Sequence, residues 1–307
     1  MRRVADVPRI PRLRRDAHKG DRGRILVVAG SLRMSGAARL AGWGGLRGGG
    51  GLVTVATPDC VHALVAADLP CAMTLPLPSW RGTLAASGAS RARAVEADAV
   101  AVGPGITTEV GSFLRRFLKG LDKPVVLDAD ALNLVAREPR ILDAFEAPRV
   151  MTPHPGEAAR LLGGKIGDRV GAAAALAERF RAVVVLKGMG TVVCDGESVY
   201  VEKAGNPGMA TGGTGDVLTG LLAARLAMGV PPFDAAVQAV HAHARAGDLA
   251  AAAVGEQSMI ATDLVASLPA ALGEIVEESP GRAKSGESDR PGRGFRRGRG
   301  RGPAGSY

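Results

Sequence analysis

Six times along this chain a short, almost wholly apolar run stops at glycine, proline, aspartate or asparagine. The runs are "RILVVAGS" (24–31), "GLVTVATP" (51–58), "ADAVAVGPG" (97–105), "PVVLDADALN" (124–133), "RVMTPHPGE" (149–157) and "AVVVLKGMG" (182–190). Residues that are apolar on both faces of a strand belong to a sheet covered on both sides, the usual state of parallel strands. Most runs lead into segments compatible with a helix, such as the Ala/Leu-rich 36–47. Strand–helix alternation predicts an α/β fold, a mostly parallel central sheet with helices on both faces. Ligands of such sheets sit beyond the carboxyl ends of the strands. Ser31, Gly103–Gly105, Asp128, His154 and Lys187, which end the runs, are therefore expected around one crevice.

The net charge of +9 over 307 residues suggests a nucleic-acid partner until it is located. Residues 1–24 and residues 279–307 each carry +6, which leaves −3 for the body between them. A whole-domain basic footprint is absent, so nucleic acid is not the expected partner. The division predicted is a basic N-terminal arm (1–24), one α/β domain (25–278) and a disordered Arg/Gly-rich tail (279–307). The tail has almost no apolar residues with which to offset its ordering entropy. No apolar run reaches the roughly 18 residues that span a bilayer. Cys60, Cys71 and Cys194 match no metal or redox spacing. A sparse, odd set of cysteines predicts a reduced, cytoplasmic protein. The Arg-rich N-terminus lacks the apolar stretch of a secretory signal.

No G-x-G-x-x-G follows a strand, and no G-x-x-x-x-G-K-[ST] occurs, so dinucleotide dehydrogenases and P-loop enzymes lose their main support. What stands out is "GNPGMATGGTGDVLTG" (205–220). Its Gly212, Gly213, Thr214 and Gly215 precede Asp216, which opens an apolar helix. Helix N-termini present unpaired N–H groups and a positive dipole end, and glycine lets phosphate oxygens reach them. A carboxylate there can take the proton of a hydroxyl that attacks phosphorus. Taken alone, the turn also reads as a glycine-capped helix with an ordinary first-turn acid. His154 alone reads equally as a turn histidine, Lys187 as a strand-end lysine, and Asp130 as a helix cap.

The motifs "HKGDRGRILVVAGS", "SGAARLAGWGGLRGGGGLVTVATP", "AVGPGI", "PVVLDADALN", "TPHPGEAARLLG", "VVLKGMGTVV" and "GNPGMATGGTGDVLTGLLAA" occur in that order over about residues 8–270. Together they resemble the ADP/ATP-dependent NAD(P)H-hydrate dehydratases, a branch of the ribokinase-like superfamily. The resemblance implies a ribokinase-like fold and repair of hydrated NADHX and NADPHX. It implies Asp216 as the catalytic base, with Ala37 or Ala38, Gly105, His154, Asn133 and Asp216 toward the hydrated nicotinamide. Lys187, Gly188, Met189, Gly190 and Thr191 are implied for the adenine nucleotide, ADP or ATP. Gly212, Gly213, Thr214 and Gly215 are implied for the transferred phosphate, with Mg2+ as cofactor. A homo-oligomer, a tetramer, is implied as well, as is pairing with a separate epimerase, since no length is left here for a fused one. Cys71 departs from the acid the family often has there, at a position read as structural or at an interface, and Arg22 stands where the family's pattern has a tyrosine. A superfamily kinase for thiazole or pyridoxine alcohols would use the same Asp216, and a regulatory nucleotide-binding module would use the same turn without turnover.

Overall fold

The computed structural model describes residues 1–277, and the predicted tail lies outside the described residues. In chain order the strands are β1 (Arg2–Val4), β2 (Arg24–Val28), β3 (Leu52–Pro58), β4 (Met73–Leu77), β5 (Ser79–Trp80), β6 (Thr83–Leu84), β7 (Ala99–Val102), β8 (Val125–Leu127), β9 (Arg149–Met151), β10 (Val183–Leu186), β11 (Val192–Cys194) and β12 (Ser198–Val201). The helices are α1 (Ser35–Arg47), α2 (His62–Asp68), α3 (Ala89–Arg93), α4 (Gly111–Leu118), α5 (Ala129–Arg137), α6 (Pro155–Leu162), α7 (Arg169–Phe180), α8 (Thr214–Ala227), α9 (Pro232–Val254) and α10 (Ala261–Gly273). Ten strands form one sheet in the order β1-β12-β11-β10-β9-β8-β7-β2-β3-β4, and β5–β6 is a separate hairpin.

From β4 across to β10 every pairing is parallel, whereas β11 and β12 add an antiparallel edge. All six predicted runs are strands of the parallel part. Side chains alternate between two cores, as period-2 geometry requires. Leu26 and Val28 of β2 face the core shared with α4 to α7, while Ile25 and Val27 face the one under α1, α8, α9 and α10. Both faces are therefore buried, and the strands need no polar alternation.

The predicted N-terminal arm is not separate from the domain. β1 pairs with β12, and Ile10 bridges Val276 with backbone bonds of 2.9 and 3.0 Å to Ile275 and Glu277. Val4 and Val7 pack against the core, and Gln238 on α9 donates to the carbonyls of Pro8 and Arg9. Apolar residues interleaved with the arginines supply the anchoring that net charge alone concealed.

The fold positions the site through its strand order. β2 continues to β3 and β4 on one side, and the chain then returns to β7 on the other. The reversal leaves a crevice at the carboxyl ends of β2 and β7, where doubly wound sheets bind ligands. Gly30, just past β2, donates to the carbonyl of Pro104, just past β7, at 2.8 Å.

Candidate active site

The crevice begins at Gly103 and Gly105, both at positive φ (+133° and +64°). A Cβ on Gly105 would stand 2.9 Å from the Cβ atoms of Met34 and Ala37, so only glycine lets the two loops meet. Of the predicted pair, Ala37 lies at this junction. Ala38 is fully buried beneath Gly30. Two hydroxyls the sequence reading did not weigh as a pair stand nearby. Ser31 Oγ and Thr57 Oγ1 are buried and have no hydrogen-bond partner among the described residues.

Asp128 ends β8 and is itself buried. The following residue, Ala129, takes φ +48°, a left-handed conformation that costs a non-glycine residue about 1–2 kcal/mol. Asp128 Oδ1 accepts from Lys187 Nζ at 2.7 Å and Oδ2 accepts from Thr219 Oγ1 at 2.6 Å. Strand β8, strand β10 and helix α8 thus meet at one carboxylate. A Cβ on Gly215 would lie 3.3 Å from Lys187 Nζ, which places the lysine directly beside the Gly turn. Lys187 therefore joins the turn as well as its own glycine loop.

Helix α8 opens without a side-chain cap, and Gly213 before it has φ +94°. Its first N–H groups are thereby left for a ligand, with the positive end of the helix dipole behind them. Asp216, partly buried in this first turn, has its pKa pushed up to about 7. Burial is the main cause, and the charges of Asp128 and Asp130 add to it against the opposing pull of Lys187. A carboxylate poised near neutrality suits a general base. Burial also works against the Lys187 charge, but Asp128 and Glu157 outweigh it and hold the ammonium above its ordinary pKa.

His154 caps α6. Its Nδ1 accepts from the N–H groups of Gly156 (3.0 Å) and Glu157 (3.4 Å), so the proton of the neutral ring sits on Nε2, and the side chain is half exposed. Glu157 returns a bond to the His154 N–H at 2.8 Å. Glu157 is thus the capping partner of His154 at the start of α6. It is also buried beside the cluster, where burial pushes its carboxyl up against the pull of Lys187.

Asn133 stands one turn into α5 and is not part of the Asp128–Lys187 cluster. Its Oδ1 accepts from Arg160 Nε at 2.9 Å. With Thr108, Ala136, Arg137 and Arg160 it lines a cavity of about 440 Å³. Lys187–Thr191 form the β10–β11 turn, with Gly188 and Gly190 at positive φ and Met189 fully exposed at its tip. Arg169, at the start of α7, holds this turn through bonds from Nη2 to the carbonyls of Leu186 (2.9 Å), Lys187 (3.1 Å) and Gly190 (3.4 Å). No local motif marks Arg169, since its partners lie 17 to 21 residues away.

A switch-point crevice into which an uncapped, glycine-led helix delivers one poised carboxylate is the arrangement of the ribokinase-like α/β proteins. A ribokinase-like superfamily protein of Enterococcus faecalis V583 superposes with a TM-score of 0.75 at 25% identity, over 87% of this chain and 93% of its own. Within that class the chain belongs to the NAD(P)H-hydrate dehydratase family, whose sequence model matches residues 25–270. The ADP/ATP-dependent NAD(P)H-hydrate dehydratase of Bacillus subtilis, co-crystallised with ATP/Mg2+, superposes with a TM-score of 0.76 at 30% identity, covering 87% of this chain and 95% of that one. The bifunctional NAD(P)H-hydrate repair enzyme Nnr of Moorella thermoacetica is 41% identical over 280 residues, 88% of this chain and 53% of the relative. The chain spans about half the length of the curated relatives it matches.

Proposed function

We propose that the chain is an adenine-nucleotide-dependent dehydratase that restores NADH and NADPH from their 6-hydroxylated hydrates. The observation that carries this reading is Asp216, poised near neutrality beside Lys187 at the mouth of the glycine-led helix. Hydroxide is a poor leaving group. Transfer of a phosphoryl group from ADP or ATP to the C6 hydroxyl makes phosphate the leaving group instead. The ring nitrogen then expels it, and loss of the C5 proton regenerates the double bond.

In this reading Asp216 takes the hydroxyl proton as the oxygen attacks phosphorus. The N–H groups of the Gly212–Gly215 turn meet the transferred phosphate, and Lys187 adds a positive charge beside it. Lys187–Thr191 face the nucleotide, braced by Arg169. Gly105, Ala37 and the half-exposed His154 ring line the nicotinamide side, with Asn133 and Arg160 farther along it.

Three carboxylates, Asp128, Glu157 and Asp216, surround the single ammonium of Lys187, so the cluster carries more negative than positive charge when all ionise. No three ligating side chains converge on one metal position among the described residues. That donor set fits Mg2+, which binds one or two carboxylates and takes its other ligands from phosphates and water. Glu157 would hold it, and it would supply charge neutralisation at the phosphates. We also assign the protein to a reducing compartment, the cytoplasm, in keeping with free thiols at Cys60, Cys71 and Cys194.

The test is incubation with NADHX and ADP or ATP while the near-ultraviolet absorbance of reduced nicotinamide is followed. Recovery that requires both protein and nucleotide is the expected result. Nucleotide consumption with a phosphorylated alcohol as the stable product would instead establish a small-molecule kinase.

A further inference from the structure

Helix α9 runs behind the Gly turn and places one buried imidazole against it. His243 Nε2 lies 2.8 Å from the carbonyl oxygen of Thr214. A carbonyl only accepts, so Nε2 carries the proton. Burial, aided by the nearby Lys187 charge, pushes the His243 pKa down to about 4, so the ring is neutral and this tautomer persists at physiological pH. The Thr214 carbonyl shares one planar trans peptide with the Gly215 N–H, and the two point in opposite directions. Holding the oxygen from behind therefore aims the N–H at the crevice.

Beyond the bond within α8 itself, the other side-chain contacts of the segment do not do this. Thr214 Oγ1 donates to the carbonyls of Met209 and Thr211, which closes the turn on itself. Asp248, farther along α9, accepts from Gly205 N and Asn206 Nδ2, both at 3.2 Å, and holds the far end of the loop. Among the described residues only the His243 bond ties the peptide at the helix start to a separate element.

We infer that His243 is a positioning residue for phosphoryl transfer: its bond to the Thr214 carbonyl fixes the peptide whose N–H meets the transferred phosphate. The inference rests on the phosphoryl-transfer reading of the site.

The test compares the full chain with His243→Phe, similar in bulk but without a donor, and His243→Gln, whose amide can reach the same carbonyl. We expect His243→Phe to lower kcat about 10- to 100-fold, the scale of a small misplacement at a reacting centre. KM for ADP should change less than kcat, and His243→Gln should recover most of the loss. Equal kcat in all three, measured well below their melting temperatures, would reduce His243 to packing and overturn the inference. Should the variants not fold, nitrogen NMR of the parent decides. A proton on Nε2 whose signal shifts when ADP binds supports the role, whereas a proton on Nδ1, or no response to bound ADP, refutes it. A parent that binds ADP yet restores no NADH from NADHX would refute the dehydratase reading while leaving the NMR arm decisive for His243.

Discussion

At the scale of single residues the site depends on charges that the fold keeps from neutralising one another completely. Asp216 gains its pKa of about 7 first from burial and then from Asp128 and Asp130, with Lys187 pulling the other way. Such a group acts as a base only when ionised, so kcat/KM should fall as pH drops below about 7, with the pH–rate profile as the measurement. Asp216→Asn should lose about 10²–10⁴ in kcat, the range for one acid–base group. The same environment carries a stability consequence of definite sign. A carboxyl whose folded pKa is raised opposes folding once it ionises, and that cost is fully present above the folded pKa. At pH 8 the asparagine variant should therefore melt no lower than the parent. Near-normal turnover in it would remove Asp216 from the chemistry.

At the scale of elements, α8 is held in place by its neighbours' lack of side chains. A Cβ on Gly220 would stand 1.9 Å from the Ala41 carbonyl, and one on Gly44 would stand 2.2 Å from the Val217 carbonyl. The backbones of α1 and α8 are thus in direct contact just behind the Gly212–Gly215 turn. Gly220→Ala should destabilise by about 1–3 kcal/mol, the cost of overpacking a core, despite alanine's better helix propensity. Gly36→Ala, with open space around it, should instead gain about 0.5 kcal/mol. Urea unfolding of the two variants checks the contrast, and equal midpoints would refute it. The same division separates what the sequence discloses from what it hides. Six of the seven strands from β4 across to β10 were legible because burial on both faces writes itself as an uninterrupted apolar run. β11 and β12 were not, because they form a hairpin around Asp195–Gly196 with no helix between them, outside the strand–helix alternation. β4 carries Pro76 in its interior, and β1 reads as a basic segment. Asp216 and Lys187 were legible because glycines beside them mark backbone approach. His243, Arg169 and the burial of Glu157 were not, since each acts within a helix of ordinary pattern, the first two upon partners distant in the chain.

At the scale of the whole molecule, the first of two basic segments of equal charge is built into the domain. Residues 1–24 and 279–307 each contribute +6, and composition treats them alike. In the fold the first is bound in several ways. β1 extends the sheet along β12, Ile10 is buried and bridged to Val276, and Arg9 and Arg12 donate to the carbonyls of Glu274 and Glu277. Burying one isoleucine contributes about 1.5–3 kcal/mol, and the strand and bridge bonds add to that. Deleting residues 1–12 should therefore lower the melting temperature by roughly 5–10 °C, given about 2–4 °C per kcal/mol for a domain of this size. The same deletion should leave the Asp128–Lys187 cluster assembled and kcat nearly unchanged at low temperature, because no residue of the segment enters the crevice. Every residue assigned to the site lies within residues 1–277, so a chain ending at Glu277 should keep both its melting temperature and its turnover. Weak, salt-sensitive retention on nucleic acid, if the full chain shows it, should be lost from that shorter chain, since phosphate binding by arginine falls steeply with salt. Thermal melting and NADHX turnover of the two truncations decide the matter. Equal melting temperatures for the two would mean that the β1 and Ile10 contacts add nothing to the domain, and a large loss of kcat on removing 278–307 would mean that the crevice draws on residues beyond 277.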